Sequence, residues 1–309
     1  MWRSRDLARV GLVLDSSDHP GTDRFAAAPA PGTAGVRVLG PADLPEALDL
    51  LARDPVTNVF VDYRSRITQL DQRWLGGQMW GYVEDGALVS LCHVGANLVP
   101  VAATPAACSA FAAKALAQRR VSATIVGPRP SVEMLWSELG PAWGHPRDER
   151  WDQPHLAIDA DPLVESDPLV RRTTQAELDL LYPACVAMYT EEVGVSPEVD
   201  GGRNLYRARV SQLISRGWSF ARIEDGRVVF KAEVACATPY AAQIQGVYVD
   251  PSRRGEGLCT RGMATVVRTV LAEIAPTVAL YVNAHNAAAR TAYERVGFRQ
   301  TGTFSTLMF

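Results

Sequence analysis

The chain has 309 residues, of which 47% are apolar and 21% are charged, and its formal net charge is −3. This composition is typical of a globular protein and excludes collagen-like, disordered and disulfide-scaffold chains, and the length suits one large domain or two smaller ones. Because the chain is slightly acidic, no overall positive field would attract nucleic acid or an anionic membrane, and neither partner is expected.

The cysteines and the apolar runs indicate the cellular compartment of the protein. The five cysteines are widely spaced and form no C-x-x-C pair, which is typical of reduced thiols and predicts neither a disulfide framework nor a metal site. The apolar stretch at residues 10–14 is too short for a secretory leader, and no run of about 18 apolar residues predicts a transmembrane helix. These features predict a cytoplasmic protein.

Two polar stretches divide the chain. Residues 15–35 are rich in Ser, Asp, Gly, Pro and Ala and offer too little apolar surface to offset the entropy of ordering, so residues 1–35 are predicted to form a flexible N-terminal arm. A second stretch, near residues 159–167, carries Pro162 and several acids and predicts a linker. Two domains, at residues 36–160 and 168–309, are therefore expected.

These two segments repeat one order of predicted elements. Each begins with a strand and an amphipathic helix, followed by a β-hairpin whose turn reads Glu-Asp-Gly, at residues 84–86 and 224–226. Asp-Gly between alternating apolar runs is a strong hairpin signal. Each segment later has a strand and a short helix that is predicted to end in glycine, at Gly140 and Gly297. The pattern predicts an internally duplicated α/β chain.

The two copies differ in one connection. In the second copy a loop containing Gly255 and Gly257 joins the strand at residues 247–249 to an amphipathic helix, whereas the first copy passes from its strand to its helix through residues 102–105. A helix N-terminus presents unpaired N–H groups and a partial positive charge, and glycines let a ligand approach the backbone, so a phosphate-bearing ligand is expected. The loop has no P-loop lysine, and Thr260 replaces the third glycine of the dinucleotide pattern.

The loop and a later segment carry a family resemblance. Residues 249–259, Val-Asp-Pro-Ser-Arg-Arg-Gly-Glu-Gly-Leu-Cys, resemble the acetyl-CoA loop of the GNAT N-acetyltransferase superfamily, although Cys259 stands where that family usually has glycine or alanine. The later strand-and-helix motif of the family is matched by seven residues. They are Asn283, Asn286, Ala289, Arg290, Tyr293, Gly297 and Phe298.

The resemblance implies an α/β (α+β) fold with two tandem GNAT-like domains, each a mixed, mostly antiparallel central sheet flanked by helices. The domain at residues 36–160 resembles a degenerate repeat without a CoA loop, and the domain at 168–309 resembles the catalytic repeat. Aligning Gly140 with Gly297 places Trp136 opposite Tyr293, so the first copy is not expected to catalyse a reaction.

The resemblance also implies that the second copy binds acetyl-CoA as cosubstrate and needs no metal. The strand before the loop would pair with the pantetheine arm, and Arg254 with the loop amides would hold the diphosphate. The alternatives that need no ligand are that Val247 and Val249 pack in the core and that Asn286 caps a helix. The implied cosubstrate-binding residues are Val247, Val249, Arg254, Gly255, Glu256, Gly257, Leu258, Cys259, Thr260, Asn286 and Tyr293.

For catalysis, the resemblance makes Tyr293 the acid that protonates the departing CoA thiolate, the simpler role being a packing aromatic. The general base stays open. Many relatives have a glutamate on the strand that here carries Gln243 and Gln245, whose amides cannot accept that proton. Glu233 and Glu192 are candidate bases, and Glu191 and Glu192 are expected to lie after the first helix of the second copy. A water chain is an alternative, and Glu233 could equally be a solvated or paired surface acid.

The predicted activity is transfer of an acetyl group from acetyl-CoA to a primary amine of a small molecule or peptide, by direct attack in a ternary complex. At pH 7 an α-amine is about 10% neutral and a lysine side chain below about 0.1%, so a site without an evident base favours an α-amine. A non-catalytic acyl-CoA sensor and a protein or peptide acetyltransferase are the alternatives.

Overall fold

The computed structural model describes residues 34–309, so nearly all of the predicted N-terminal arm lies outside the described residues. Within that range the chain divides into two compact units. The first unit comprises residues 34–153 and 303–309, and the second comprises residues 154–302. None of the helices described is both long and apolar enough to cross a membrane.

The first unit contains a sheet in the order β1-β2-β3-β4-β5, completed next to β5 by the end of β12. Only β4 and β5 pair in parallel; the other neighbours are antiparallel. Its strands are β1 (Gly35–Val38), β2 (Gln78–Glu84), β3 (Ala87–Val94), β4 (Asn97–Val101), β5 (Thr124–Pro128) and the start of β6 (Asp148–Ile158). Its helices are α1 (Leu44–Leu51), α2 (Val59–Thr68), α3 (Gln72–Leu75), α4 (Pro105–Leu116) and α5 (Arg129–Trp143).

The second unit repeats this order. Its sheet runs β7-β8-β9-β10-β11 and is completed next to β11 by residues 155–158 of β6. Its strands are β7 (Arg171–Arg172), β8 (Ser219–Glu224), β9 (Arg227–Ala237), β10 (Ala242–Val249), β11 (Val278–Tyr281) and the start of β12 (Arg299–Met308). Its helices are α6 (Leu178–Val193), α7 (Arg203–Ser215), α8 (Leu258–Glu273) and α9 (Ala287–Val296). The predicted fold class, a mixed and mostly antiparallel sheet flanked by helices in each half, is confirmed.

The two hairpins match residue by residue. At both turns the Asp and the Gly have positive φ values, as in the two-residue turns that suit the twist of antiparallel strands. Both hairpins also contain a bulge at the same register, after Tyr82 in the first unit and after Arg222 in the second. Leu91 of β3 thus corresponds to Lys231 of β9.

Two sequence-based expectations about helix ends are wrong. The first-copy helix does not end at Gly140: α5 continues through Pro141 to Trp143. Gly140 lies under the Trp136 ring, which a Cβ would meet at 3.1 Å, so the absence of a side chain serves packing instead of capping. Glu191 and Glu192 lie inside the last turn of α6, whereas the sequence pattern places them after that helix.

Candidate active site

The glycine turn before α8 leaves space beside its backbone. Gly255 and Gly257 have φ values of +86° and +78°, and a Cβ at either position would meet no atom within 4 Å. Gly257 caps α8, whose first-turn amides, from Leu258 onward, have no carbonyl one turn earlier to bond. These N–H groups and the partial positive charge of a 16-residue helix form an arrangement that can hold an anion such as a diphosphate.

The strand that leads into this turn has an open edge. β10 pairs with β11 only at Ala242 and Gln243, and from Ile244 to Val249 that edge has no strand partner among residues 34–309. An unpaired edge of this kind can accept an extended ligand arm as an added strand. The side chains of Val247 and Val249 pack against the core of the second unit, so the simpler role suggested for them is correct and leaves their backbone available.

β10 also bulges in front of the turn. Gly246 and Val247 lie opposite Ala232 alone, because the pairs on either side join Gln245 to Glu233 and Tyr248 to Lys231. Gly246 has a φ of +60°, and a Cβ there would come within 2.9 Å of the Glu233 carboxyl carbon. Glycine is therefore required at the bulge both for its backbone conformation and for the space that Glu233 occupies.

Glu233 is buried and ion-paired. Lys231 Nζ donates to Glu233 Oε2 at 3.0 Å, and Gln245 Nε2 donates to Oε1 at 2.9 Å. The interpretation of Glu233 as a solvated surface acid is wrong. Strand alternation correctly places both charges on one face of β9, but the buried Cys185 of α6 lies close enough to interact with Lys231, so the helix covers that face.

Lys231 is fully buried, and its Nζ also donates to the carbonyl oxygen of Gly246 at 3.0 Å. Burial alone would lower the pKa of this ammonium group, but Cys185, Glu233 and Glu192 outweigh burial and raise it. Lys231 is therefore a buried cation next to the bulge. Sequence reasoning gives this residue no role, although one signal marks it: a lysine stands within the apolar run of β9, in a chain that has only one other lysine, Lys114.

Tyr293 lies on α9, a helix with defined ends. Asn286 Oδ1 accepts from the Ala289 amide at 3.2 Å, which confirms the N-cap role, and Gly297 ends the helix with a φ of +113°. The Tyr293 side chain is buried edge-on to Phe298 at 5.8 Å between ring centroids, and its hydroxyl has no hydrogen-bond partner within the described chain. Burial, together with Cys259 and Glu192, raises the pKa of this phenol well above its usual value.

The end of α6 contributes two acids. Glu192 is exposed, and its charge raises the pKa values of both Tyr293 and Lys231, so it lies near the other candidate catalytic groups. Its neighbour Glu191 pairs with Arg254 at 2.7 Å, and Arg254 Nε donates to the Val249 carbonyl at 3.2 Å. Arg254, the predicted diphosphate ligand, thus bonds a carboxylate beside the glycine turn.

The first unit lacks these features. β4 enters α4 through residues 102–105 without a glycine turn, and Trp136 packs against Phe309 at 5.6 Å in the core of that unit. The register between β3 and β4 also shows no bulge, since Leu91, Cys92 and His93 pair one to one with Val101, Pro100 and Val99. These differences agree with the expectation that the chemistry lies in the second unit.

A sheet that opens beside a bulged strand, followed by a glycine turn and a helix N-terminus, defines an acyltransferase fold of the GNAT type. Comparison with known proteins gives the same result. Residues 228–306 match the FR47-like protein family, and residues 77–181 match a domain of unknown function, DUF4081. A mycothiol acetyltransferase of Brachybacterium faecium is 36% identical over 107 residues, a match that covers 32% of this chain and 32% of that protein.

Solved structures resemble almost the whole chain. A GNAT-family acetyltransferase from Colwellia psychrerythraea is 13% identical with a TM-score of 0.55, covering 89% of this chain and 99% of that one. A tandem GNAT protein from the clavulanic acid biosynthesis pathway is 15% identical with a TM-score of 0.56, covering 89% and 98%. At these identities the likeness shows the fold. The chain therefore has the fold of the GNAT acetyltransferases.

Proposed function

We propose that the second unit transfers an acetyl group from acetyl-CoA to a primary amine, with direct attack of the amine in a ternary complex. One observation carries this proposal: the open edge of β10 leads into the Gly255–Gly257 turn and the N-terminus of α8. A strand edge suits the amide-bearing pantetheine arm, and the helix N-terminus suits the diphosphate. Acetyl-CoA supplies the acetyl group as a thioester, which is activated toward amines.

Tyr293 holds the proton that the departing sulfur needs. Its raised pKa keeps the hydroxyl protonated at physiological pH, and the absence of a competing hydrogen-bond partner in the described chain leaves the proton free to donate. The same raised pKa makes full ionisation of the phenol unfavourable. Tyr293 Oη therefore acts best as a hydrogen-bond donor that gives its proton to the departing sulfur and regains one from solvent.

Glu233 is the base that the geometry favours. Its carboxylate packs against Gly246 of the bulge and is oriented by Lys231 and Gln245, whereas Glu192 lies at an exposed helix end. Glu233 accepts the proton that the attacking amine loses. An α-amine of a small molecule or a peptide suits this site best, and the acceptor of the mycothiol acetyltransferase relative is the first compound to test.

The proposal is tested by calorimetry with CoA and acetyl-CoA, followed by a thiol-release screen across amines. Binding of both nucleotides together with amine-dependent release of CoA is expected. Tight binding without release for any amine would favour the acyl-CoA sensor, and acetylation of polypeptides alone would favour a protein acetyltransferase. A folded chain that binds neither nucleotide would overturn the proposal.

Substitution of Gly257 by alanine is expected to weaken CoA binding by about 10- to 100-fold. The new Cβ enters the space beside the turn, and the expected loss in affinity corresponds to one charge-assisted hydrogen bond to the diphosphate. Calorimetry measures the loss. Gly226→Ala is the matched control: Gly226 has a similar φ of +71° and equally open surroundings, but lies in the β8–β9 turn. Both variants should lose similar thermal stability. Equal CoA affinities in the two variants would exclude a diphosphate site at this turn.

Substitution of Glu191 by glutamine is expected to tighten CoA binding, since it removes the carboxylate that occupies Arg254. Both partners are about half exposed, so the gain should be modest, roughly two- to fivefold in Kd. Glu256→Gln removes the same charge from the loop but affects Arg253 instead, which keeps its pair with Glu224. If both variants tighten binding equally, general electrostatics explains the gain, and competition for Arg254 does not.

A further inference from the structure

We propose that Lys231 is a positioning residue that fixes the β10 bulge and holds Glu233 against it. The inference rests on the proposed function, because it assigns the bulge to the acyl end of that site. Lys231 itself is given no contact with substrate. Its effect passes through Gly246 and Glu233, both of which it bonds.

The contacts of the ammonium group support this role. Lys231 Nζ donates at 3.0 Å to the Gly246 carbonyl oxygen and at 3.0 Å to Glu233 Oε2, and the buried Cys185 of α6 lies close enough to interact with it. One buried cation thereby joins the bulged strand, the neighbouring strand and the covering helix. A buried ammonium group is costly unless acceptors surround it, so these bonds require the surrounding groups to keep their places.

The first unit provides an internal comparison. Its β2–β3 hairpin has the same turn and the same bulge after the turn, and Leu91 stands at the position of Lys231. There the next strand pairs one to one, with Pro100 opposite Cys92, and no residue is extra. In the second unit, where the position is lysine, Gly246 and Val247 together oppose Ala232. The β10 bulge, unlike the hairpin bulge that both units share, therefore occurs only in the unit that has the buried cation.

The bulge bears on the reacting end of the site. A bulge leaves backbone groups unpaired and turns the strand locally, and here it lies between the open edge of β10 and the Glu233 carboxylate. If Lys231 is lost, the Gly246 carbonyl loses its donor and Glu233 is left buried without a cation. The strand then becomes mobile at the bulge, and Glu233 loses its support.

The test uses the fact that the chain has only two lysines, Lys114 and Lys231. With lysine labelled with ¹⁵N at Nζ, the ligand-free wild type should show one slowly exchanging ammonium signal. This signal should persist in Lys114→Met and disappear in Lys231→Met. Two rapidly exchanging signals in the wild type would overturn the buried, hydrogen-bonded environment of Lys231. Because this readout needs no CoA, it is independent of the proposed function.

The second arm separates positioning from stability. Lys231→Met leaves an unpaired buried charge and can impair folding, so it is paired with the double variant Lys231→Met/Glu233→Gln, which buries no charge. In the double variant we expect amide hydrogen exchange at residues 246–248 to be at least about tenfold faster than in the wild type, while the β8–β9 amides are unchanged. Unchanged exchange at the bulge, or uniform acceleration across the second unit, would overturn the role.

The ligand arm distinguishes the two proposals. Acetyl-CoA binding by calorimetry is compared between the wild type, the double variant and Lys114→Met. Weaker binding in the double variant alone is expected. If the wild type does not bind acetyl-CoA, the proposed function fails, whereas equal binding by all three proteins overturns the positioning role and leaves the proposed function intact.

Discussion

Replacing Tyr293 with phenylalanine is expected to slow acetyl transfer by on the order of 10²-fold while the variant still binds acetyl-CoA. The change removes one oxygen from a side chain that keeps its ring against Phe298. Because the Tyr293 hydroxyl has no hydrogen-bond partner in the described chain, its removal breaks no internal bond. The expected loss therefore appears in kcat and leaves cosubstrate affinity and folding largely unchanged.

The pH dependence gives a second readout of the same residue. The pKa of Tyr293 is raised by burial and then by Cys259 and Glu192, so the folded protein keeps the hydroxyl protonated beyond the pH at which an ordinary tyrosine ionises. The proton-donating form is thus fully present at and above pH 7 and is lost only above the raised pKa. The wild type should show no loss of activity from Tyr293 ionisation at pH values up to about 10.

Tyr82→Phe is the control, because Tyr82 in the first unit is equally buried and packs edge-on to Phe111 at 6.5 Å between ring centroids. Turnover is measured by thiol release once an acceptor is known, and affinity by calorimetry. If Tyr293→Phe turns over as fast as Tyr82→Phe, Tyr293 has no part in the reaction. If Tyr293→Phe loses acetyl-CoA binding instead, its role lies in the cosubstrate site.

The sequence predicts the features that depend on neighbouring residues. The Asp-Gly turns predict both hairpins, and Asn286 and Gly297 predict the ends of α9, because turn conformation and helix capping are decided within a few residues. The Gly255–Gly257 turn follows in the same way from glycine and from the helix pattern behind it. These local signals account for the fold class and for the position of the candidate site.

The features that escape prediction depend on distant parts of the chain. Strand alternation places Lys231 and Glu233 on one face, but it cannot reveal that α6 covers that face and makes the pair buried. Likewise, the glycine at position 140 has the same sequence signature whether it ends a helix or lies under Trp136. In both cases the deciding neighbour comes from tertiary packing.

The division of the strands between the two units is the largest such feature. The alternating patterns of β6 and β12 identify them as strands but do not name their partners. Residues 154–158 of β6 belong to the second unit, and residues 303–309 at the end of the chain belong to the first. The domain ranges predicted from the sequence, 36–160 and 168–309, instead place all of β6 in the first domain and all of β12 in the second.

Ending the chain at Gly302 is expected to unfold the first unit, because residues 303–309 supply the strand that pairs with β5. The deletion also removes four buried apolar side chains. They are Phe304, Leu307, Met308 and Phe309. Burial of each contributes about 1.5–3 kcal/mol, an upper estimate whose sum is comparable with the roughly 5–15 kcal/mol that typically stabilises a folded protein. Hydrogen exchange of the β5 amides should approach the rate of an unfolded chain.

Phe309→Ala tests the same contact by a single substitution. The Phe309 ring packs against Trp136 and Trp143 at 5.6 and 5.5 Å, and the Arg120 guanidinium lies 4.5 Å from its centre. Its loss should lower the free energy of unfolding of the first unit by about 3–5 kcal/mol, whereas Phe309→Leu should cost less because it fills part of the space. Chemical denaturation measures both variants. Wild-type stability in Phe309→Ala, or native β5 exchange in the truncated chain, would mean that the first unit folds without the C-terminal strand.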